Sequence, residues 1–166
     1  MNARTRTEIR LFLKNRPGEL ARLATILSEN AINIEAMTIQ DASEYVRELF
    51  QARGRSIRRI ASVGNYNAMR KDSVEYALIR CLVDKTDEAV DLLSKNEYVF
   101  DVIPVLTLEL DNRPGILAKM ADMFGAEGIN INYVYGSGLP GAERALYVFC
   151  PEDLDLAARI LKDAKL

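Results

Sequence analysis

Two pairs of asparagines are the residues of this chain whose types and spacing best suit chemistry. Asn15 opens an Asn-Arg-Pro-Gly motif and precedes Asn33 by 18 residues, and Asn112 precedes Asn130 in the same way. An asparagine side chain both donates and accepts hydrogen bonds, and the motif's glycine allows a close approach to the backbone. The sequence has no histidine, which removes the commonest general base and metal ligand. These features favour a binding site, with no catalytic residue and no metal site expected.

The two motifs belong to an internal repeat that must position them. Residues 11–34 and 108–131 are identical at 12 of 24 aligned positions, at an offset of 97. A second match, at an offset of 68, pairs residues 75–93 with 143–161. The offsets differ by 29, which indicates an insertion of about that length in the first copy. Repeats of this size are small domains, so we predict two lobes.

Hydrophobic patterns predict the same elements in each copy. Alternation at Ile9, Leu11 and Leu13, and again at 106–110, indicates first strands. Each is followed by Asn-Arg-Pro-Gly and a helical spacing, with the proline expected in the first helical turn. Second strands open at 32–34 and 129–133. The remaining elements are third strands at 74–83 and 142–150, helices at 86–94 and 153–162, and a fourth strand at 98–103 in the first copy.

The order βαββαβ predicts two ferredoxin-like α+β lobes that form an extended antiparallel sheet with the helices on one face. We expect the second lobe to lack its last strand, because by the offset of 68 that strand should begin at Leu166, the last residue of the sequence. We expect 98–110 to be nearly continuous strand bent at Pro104, and the missing edge to be open or covered by another chain. The predicted domains are 6–103, with an insertion at about 42–73, and 104–166.

The insertion is the basic part of an acidic protein. Residues 42–73 carry seven basic and three acidic residues, whereas the whole chain has a net charge of −2. A capping box at Asp41 and apolar stripes indicate a helical hairpin with a solvated basic face. The alternative is binding of nucleic acid or an acidic partner through its arginines, although a net +4 without interleaved aromatics is a weak footprint.

Composition sets further expectations. The chain has 49% hydrophobic and 28% charged residues, a polar start and no run of 18 apolar residues, so we expect a cytoplasmic protein without a membrane partner. Cys81 and Cys150 fall near the ends of predicted strands, where buried thiols are expected rather than a disulfide.

Eight apolar side chains should project from the sheet face opposite the helices by strand alternation. That is more apolar surface than a monomer leaves in water, so we expect a homodimer or larger assembly, unless the insertion covers this face. The residues are Phe12, Met37, Ile39, Leu78, Leu82, Val134, Leu146 and Val148.

The two copies of Asn-Arg-Pro-Gly, each followed by Leu-Ala and Ile-Asn-Ile within βαββαβ, resemble the ACT domain, a small-molecule-sensing module of amino-acid metabolism. The likeness covers both repeats; the insertion and the missing strand depart from it. In that family an amino acid often lies where two ACT sheets meet, between the strand-to-helix loop of one and the second strand of its neighbour. The resemblance therefore implies binding residues at Asn15 and Gly18 or at Asn112 and Gly115, with Asn33 or Asn130 from the strand.

The chemistry of these positions suits an amino acid, since a helix N terminus favours a carboxylate. The second loop is the better candidate: Asp111 could pair with an ammonium group, whereas Glu19 opposes a carboxylate at the first helix. The alternative is structural, with asparagine and proline capping the helix and Asn33 or Asn130 starting a strand. Similarly, the glycine-rich segment 136–141 is a mobile turn that closes over a ligand or an ordinary hairpin turn.

These features support a regulatory protein rather than an enzyme. The leading hypothesis is a tandem ACT protein that binds a small molecule, expected to be an amino acid, and passes its occupancy to a partner enzyme. The alternatives are a permanent regulatory subunit of a biosynthetic enzyme and a nucleic-acid or acidic-partner binding protein. No cofactor is expected, because the sequence shows no nucleophile–base pair, metal-ligand spacing or phosphate loop.

Overall fold

The structure, a computed structural model, describes residues 2–42 and 76–163. The chain divides into two compact units: the first-repeat unit, Glu8–Ile103, and the second-repeat unit, which combines Met1–Thr7 with Pro104–Leu166. The insertion, including its predicted helical hairpin and capping box, lies almost entirely outside the described residues.

The described elements follow the predicted order in both repeats. The strands are β1 (Asn2–Lys14), β2 (Ile34–Asp41), β3 (Tyr76–Val83), β4 (Val99–Asp111), β5 (Ile131–Ser137) and β6 (Arg144–Pro151). The helices are α1 (Glu19–Glu29), α2 (Thr86–Lys95), α3 (Ile116–Ala126) and α4 (Leu154–Asp163). The predicted continuous strand after Tyr98 is confirmed as β4. Both β1 and β4 contribute residues to both units.

The first-repeat unit has the ferredoxin-like strand order β2-β3-β1-β4. β1 and β3 are antiparallel, with Leu11 opposite Ile79. Side chains of alternate strand residues share one sheet face, and the core residues Ile9, Leu11 and Ile79 all lie on the face covered by Leu23 of α1 and Leu93 of α2. Both helices therefore pack on one side of this sheet, as predicted.

The second-repeat unit has the equivalent order β5-β6-β4-β1. Its helices pack on one sheet face through Met120 and Phe124 of α3 and Leu161 of α4, against Leu108 and Phe149. The rings of Phe124 and Phe149 meet edge to face, with centroids 5.7 Å apart. Each unit is thus an α+β fold with its own apolar core, as the repeat requires.

The fourth strand of the second-repeat unit comes from the beginning of the chain. The first residues of β1 belong to this unit, and Thr107 Oγ1 of β4 donates to the carbonyl oxygen of Arg4 at 3.1 Å. The expectation of an open edge, or one covered by another chain, is wrong. The polar sequence before Glu8 gave no apolar alternation by which this strand could be predicted.

A β-bulge in each second strand changes which side chains share a face. The pairing of β2 with β3 shifts between Ile34 and Ala36, and β5 shifts relative to β6 at the equivalent positions, between Ile131 and Tyr133. An added residue reverses the alternation beyond it. Consequently Met37 lies opposite Cys81 and Ile39 lies opposite Ile79. In the second-repeat unit Val134 lies opposite Phe149. All three therefore lie on the helix-covered face. Their predicted position on the other face is wrong.

The face opposite the helices is not an exposed apolar surface. Leu78, Leu82 and Val148 are buried within the single chain. In the first-repeat unit this face also carries an ion pair, in which the Arg10 guanidinium donates to both carboxylate oxygens of Asp101 at 2.8 and 2.6 Å. Exposed apolar surface therefore gives no reason to expect an oligomer. A homodimer or larger assembly stays a prediction without that support.

Both cysteines are free thiols, as predicted. Cys81 is buried in the first-repeat core, and burial, with a smaller contribution from the charge of Glu8, raises its thiol pKa to about 12. A thiol is reactive as the thiolate, so Cys81 is a packing residue. Cys150 is only partly buried.

Candidate functional site

The Arg-Pro-Gly part of the repeated motif is a tight turn. The backbone N–H of Glu19 donates to the carbonyl of Arg16 at 3.3 Å, which places Pro17 and Gly18 at the two central positions. Gly18 has φ +92° and ψ −20°. A type II turn has this pattern, with proline favoured first and a positive φ required second. The motif is therefore explained locally by backbone geometry.

The second copy repeats this turn almost unchanged. Ile116 N–H donates to the Arg113 carbonyl at 3.4 Å, and Gly115 has φ +87° and ψ −12°. The glycine is the residue immediately before the helix, and the proline precedes it. The prediction that proline occupies the first helical turn is therefore wrong: the turn ends before α1 and α3 begin.

Neither helix start has a side-chain cap among the described residues. In α3, Lys119 N–H returns to the Gly115 carbonyl at 3.0 Å, but the preceding N–H groups of Leu117 and Ala118 have no backbone acceptor in the described parts of the chain. Such first-turn donors are available to water or to a ligand. The interpretation of Asn15 and Asn112 as helix caps is wrong, because glycine holds that position and the asparagines lie earlier.

Asn112 instead connects the loop to the β5–β6 hairpin. Its Nδ2 donates to the carbonyl of Leu139 at 3.2 Å, and its backbone N–H donates to the backbone carbonyl of Glu143 at 2.8 Å. These bonds orient the amide, and Oδ1 has no partner among the described residues. The hairpin itself is ordinary, since a Cβ at Gly138 would lie 2.8 Å from that of Ala145. Close packing accounts for that glycine, without a need for mobility.

The strand asparagines lie at the other end of each sheet. Asn33 N–H donates to the Asp84 carboxylate at 2.8 Å, and Asp84 N–H returns to the Asn33 carbonyl. Asn15 directly follows β1, whose last residue Lys14 lies at the same end of the sheet as Asp41, the last residue of β2. Asn33 precedes the first residue of β2, at the opposite end. Because β2 has 8 residues, the two asparagines are separated by roughly 25 Å along the sheet. One unit therefore does not bring Asn15 and Asn33 together.

The same separation holds in the second-repeat unit. The Asn130 carbonyl accepts from Glu152 N–H at 2.8 Å, at the end of the sheet opposite Asn112. An open groove of about 790 Å³ lies beside Asn130, and its charged lining is Glu152, Asp153 and Asp155. This end of the unit is acidic.

A smaller cavity, of about 170 Å³, lies beside the loop of the second repeat. A cavity of about 150 Å³ is large enough to hold benzene, so the volume suits a small metabolite. Arg113 Nε lies 3.4 Å from the Asp111 carboxylate, and both side chains are more than half exposed. Arg144 donates to the carbonyl of Glu109 at 2.7 Å. The full lining is Glu109, Leu110, Asp111, Arg113, Ile116, Lys119 and Arg144.

Three cationic residues of this cavity were absent from the predicted site. Arg113 belongs to the repeated motif, and its identity in both copies was the signal that could have included it. Lys119 follows Gly115 by one helical turn, which is also readable from the sequence. Arg144 lies directly across the sheet from Asp111, and only the strand register brings these two together.

The first loop differs in its charges. The positions equivalent to Asp111 and Ile116 are Lys14 and Glu19, at the offset of 97. Arg22, which corresponds to Lys119, lies over the ring of Tyr98, 5.9 Å from its centroid. The aromatic ring attracts the cation electrostatically, so the guanidinium of Arg22 already has an interaction partner that a ligand would have to replace. The two loops therefore have the same backbone conformation but carry different side chains.

In residues 2–42 and 76–163, no group of three or more potential metal-ligating His, Cys, Asp and Glu side chains occurs. Over the same described ranges, no helix is long and apolar enough to cross a membrane.

Solved structures resemble this chain along nearly its whole length. Protein BT0572 from Bacteroides thetaiotaomicron has a TM-score of 0.71 and 23% identity, covering 98% of this chain and 90% of that chain. The ligand-free regulatory subunit of aspartate kinase from Thermus thermophilus has a TM-score of 0.53 and 16% identity, with coverage of 99% and 97%. The corresponding Thermus flavus subunit has a TM-score of 0.51 and 16% identity, with coverage of 98% and 95%. At these identities the likeness shows the fold.

Sequence families give the more specific assignment. A comparison with curated proteins finds no match. The ACT domain family model matches residues 7–62, and the model described as an ACT domain pair matches residues 55–166, more than half of the chain. Together with two units that each carry the same loop and bulge, these matches show that the chain belongs to the ACT domain pair family.

Proposed function

We propose that this protein is a non-catalytic regulatory protein that binds a free amino acid at its repeated loops and passes its occupancy to a partner enzyme. The observation that carries the proposal is the uncapped helix start behind each Pro-Gly turn, found twice within a member of the ACT domain pair family. A helix N terminus attracts a carboxylate through its free N–H groups and its dipole.

The second loop supplies partners for both charged groups of an amino acid. The N–H groups of Leu117 and Ala118 would receive the carboxylate, and Gly115 lets it approach the backbone. Asn112 Oδ1 and the Asp111 carboxylate would accept from the ammonium group. The ion pair of Asp111 with Arg113 is exposed, and such pairs contribute at most about 1 kcal/mol. A ligand can therefore displace it at little cost.

The strand asparagines would complete the site from a second copy of the chain. Asn130 lies at the opposite end of its own sheet from Asn112, so one ligand contacts both residues only if a neighbouring unit supplies the second. The acidic groove beside Asn130 would face the ammonium side of that ligand. A homo-oligomer follows from this proposal.

The partner is expected to be a separate enzyme of amino-acid metabolism. The Thermus thermophilus protein of similar fold is a regulatory subunit of aspartate kinase, and it matches this chain over 97% of its length. A coupling free energy of about 1 to 3 kcal/mol is enough to alter a partner's affinity severalfold. The alternative, a permanent regulatory subunit of a biosynthetic enzyme, is favoured by the same likeness, because that protein is itself a subunit of an enzyme.

A thermal-unfolding screen against the twenty amino acids tests the proposal. A ligand present at 100 times its dissociation constant adds about 2.7 kcal/mol to the free energy of unfolding, so one L-amino acid or a related group should raise the melting temperature. The matching D-enantiomers are the control, because a site with three oriented contacts distinguishes them. If none of the L-amino acids stabilises the protein, the proposed function is wrong.

A further inference from the structure

The cavity beside the second loop carries more positive than negative charge. Arg113, Lys119 and Arg144 line it together with Glu109 and Asp111. The uncapped start of α3 adds a further positive end at the same place. An amino acid with an uncharged side chain brings one carboxylate and one ammonium group, so it offers a single negative group to several positive ones.

The pairing of these charges leaves two cations available. The Asp111 carboxylate lies against Arg113 at 3.4 Å. The guanidinium of Arg144 donates to the carbonyl of Glu109 at 2.7 Å, a neutral acceptor that orients the group without neutralising it. Lys119 has no carboxylate within ion-pairing distance among the described residues. Lys119 and Arg144 therefore remain as two cations against one remaining carboxylate of the lining, Glu109, so the cavity keeps a net positive charge.

The two apolar residues of the lining are almost fully buried. Ile116 is 9% exposed and Leu110 is 3% exposed, so neither offers much surface to an aliphatic or aromatic side chain. Apolar contact is favourable roughly in proportion to the area removed from water. A cationic side chain would meet three cations and two carboxylates, so a net positive charge. The lining thus disfavours hydrophobic and basic amino acids.

From the cavity, its charges and its lining, we infer that the second loop selects a dicarboxylic amino acid, of the size of L-aspartate or L-glutamate. This inference rests on the proposed function. The α-carboxylate lies at the start of α3, the side-chain carboxylate pairs with Lys119 and Arg144, and the ammonium group faces Asp111. The volume of about 170 Å³ accommodates a ligand of this size.

Calorimetric titration of the full-length protein tests the selectivity with L-aspartate, L-glutamate, L-leucine and L-lysine. Loss of one charge-assisted hydrogen bond weakens binding by about tenfold or more, so the better of the two dicarboxylic ligands should bind at least about tenfold tighter than L-leucine. L-Lysine should bind weakest. The advantage over L-leucine should shrink at high salt, because the charged lining residues are solvent-exposed.

Charge-removing variants assign the effect to this cavity. Lys119→Gln and Arg144→Gln should each weaken binding of the dicarboxylic ligand about tenfold and weaken binding of L-leucine much less. Arg159→Gln is the matched control, since it removes an equal charge from the exposed surface of α4, outside the cavity lining. Thermal unfolding of each variant verifies that it is folded.

The outcomes separate this inference from the proposed function. If L-leucine or another neutral amino acid binds as tightly as L-aspartate and L-glutamate, the inference is overturned while the proposed function stands. An equal loss of dicarboxylate affinity in Arg159→Gln would also overturn it, because the effect would then be one of net charge. If no amino acid binds, both the inference and the proposed function fall.

Discussion

The amide of Asn112 has two hydrogen-bonding groups with different surroundings. Nδ2 donates to the Leu139 carbonyl, whereas Oδ1 is available to a ligand. Asn112→Ala should therefore lower stability by about 1 kcal/mol and weaken amino-acid binding by about 1 to 3 kcal/mol. Urea unfolding and calorimetric titration measure the two effects separately.

Two further variants identify which group of Asn112 acts. Asn112→Asp keeps an acceptor and loses the donor, so it should resemble Asn112→Ala in stability but retain affinity for an ammonium-bearing ligand. Asn15→Ala, in the first copy, should affect binding less, because Glu19 disfavours a carboxylate at that helix start. Unchanged affinity in Asn112→Ala would leave the residue with a structural role only.

The thiol of Cys81 should titrate only in strongly alkaline solution. Burial raises its pKa from an ordinary value of 9.0 to about 12. A raised folded-state pKa stabilises the fold below the unfolded value, and that contribution is lost as the pH rises from about 9 to about 12. The wild type should therefore lose more stability over this range than Cys81→Ala does.

Urea unfolding at pH 8, 9.5 and 10.5 measures this difference, since the other alkaline groups are common to both proteins. Parallel pH profiles for wild type and Cys81→Ala would contradict the expectation.

At the scale of elements, the Pro-Gly turn sets the direction in which each helix leaves its strand. Gly115 has φ +87°, and a Cβ there would meet nothing within 4 Å, so its replacement is limited by backbone conformation alone. Gly115→Ala should lower the free energy of unfolding by about 1 to 2 kcal/mol. The cost should be smaller for Gly115→Asn, because asparagine tolerates the left-handed region better.

Gly125 provides the control within the same helix. It lies near the end of α3 with open space around it and no positive φ, so Gly125→Ala should raise the free energy of unfolding by about 0.5 to 1 kcal/mol. Chemical unfolding measures both changes. If both variants shift stability in the same direction, the turn geometry is not what distinguishes Gly115.

At the scale of the whole molecule, the N-terminal strand couples the beginning of the chain to its second repeat. Deletion of residues 2–7 removes the strand that occupies the fourth position of the second-repeat unit. Alternate N–H groups of residues 105–110, those on the β1 side of β4, should then exchange with solvent faster, because a sheet edge leaves backbone groups unpaired, whereas those that face β6 should stay protected. Hydrogen exchange monitored residue by residue measures this effect.

The first-repeat unit supplies the internal control for the deletion. The N–H groups of β3 between 77 and 82 should keep their protection, since β1 from Glu8 onward still pairs with β3. Thr107→Val, which removes only the hydroxyl bond to Arg4, should produce a smaller change. Unaltered exchange in β4 after the deletion would contradict the assignment of residues 2–7 as its partner strand.

The sequence by itself determined the repeat, the order of its elements and the position of its loops. Proline and glycine constrain φ locally, and strand and helix periods are properties of neighbouring residues, so 24 aligned positions with 12 identities were enough to predict two ACT lobes. The continuous strand β4 was predicted for the same reason.

Only the tertiary structure decided the features that depend on pairing between distant residues. The bulges after Ile34 and Ile131 reverse the strand alternation, and Arg144 reaches the cavity because it pairs across the sheet with Asp111. The fourth strand of the second-repeat unit begins some hundred residues before the rest of that unit. Its side chains are polar, and its place is set by backbone hydrogen bonds, which carry no residue-specific signal in the sequence.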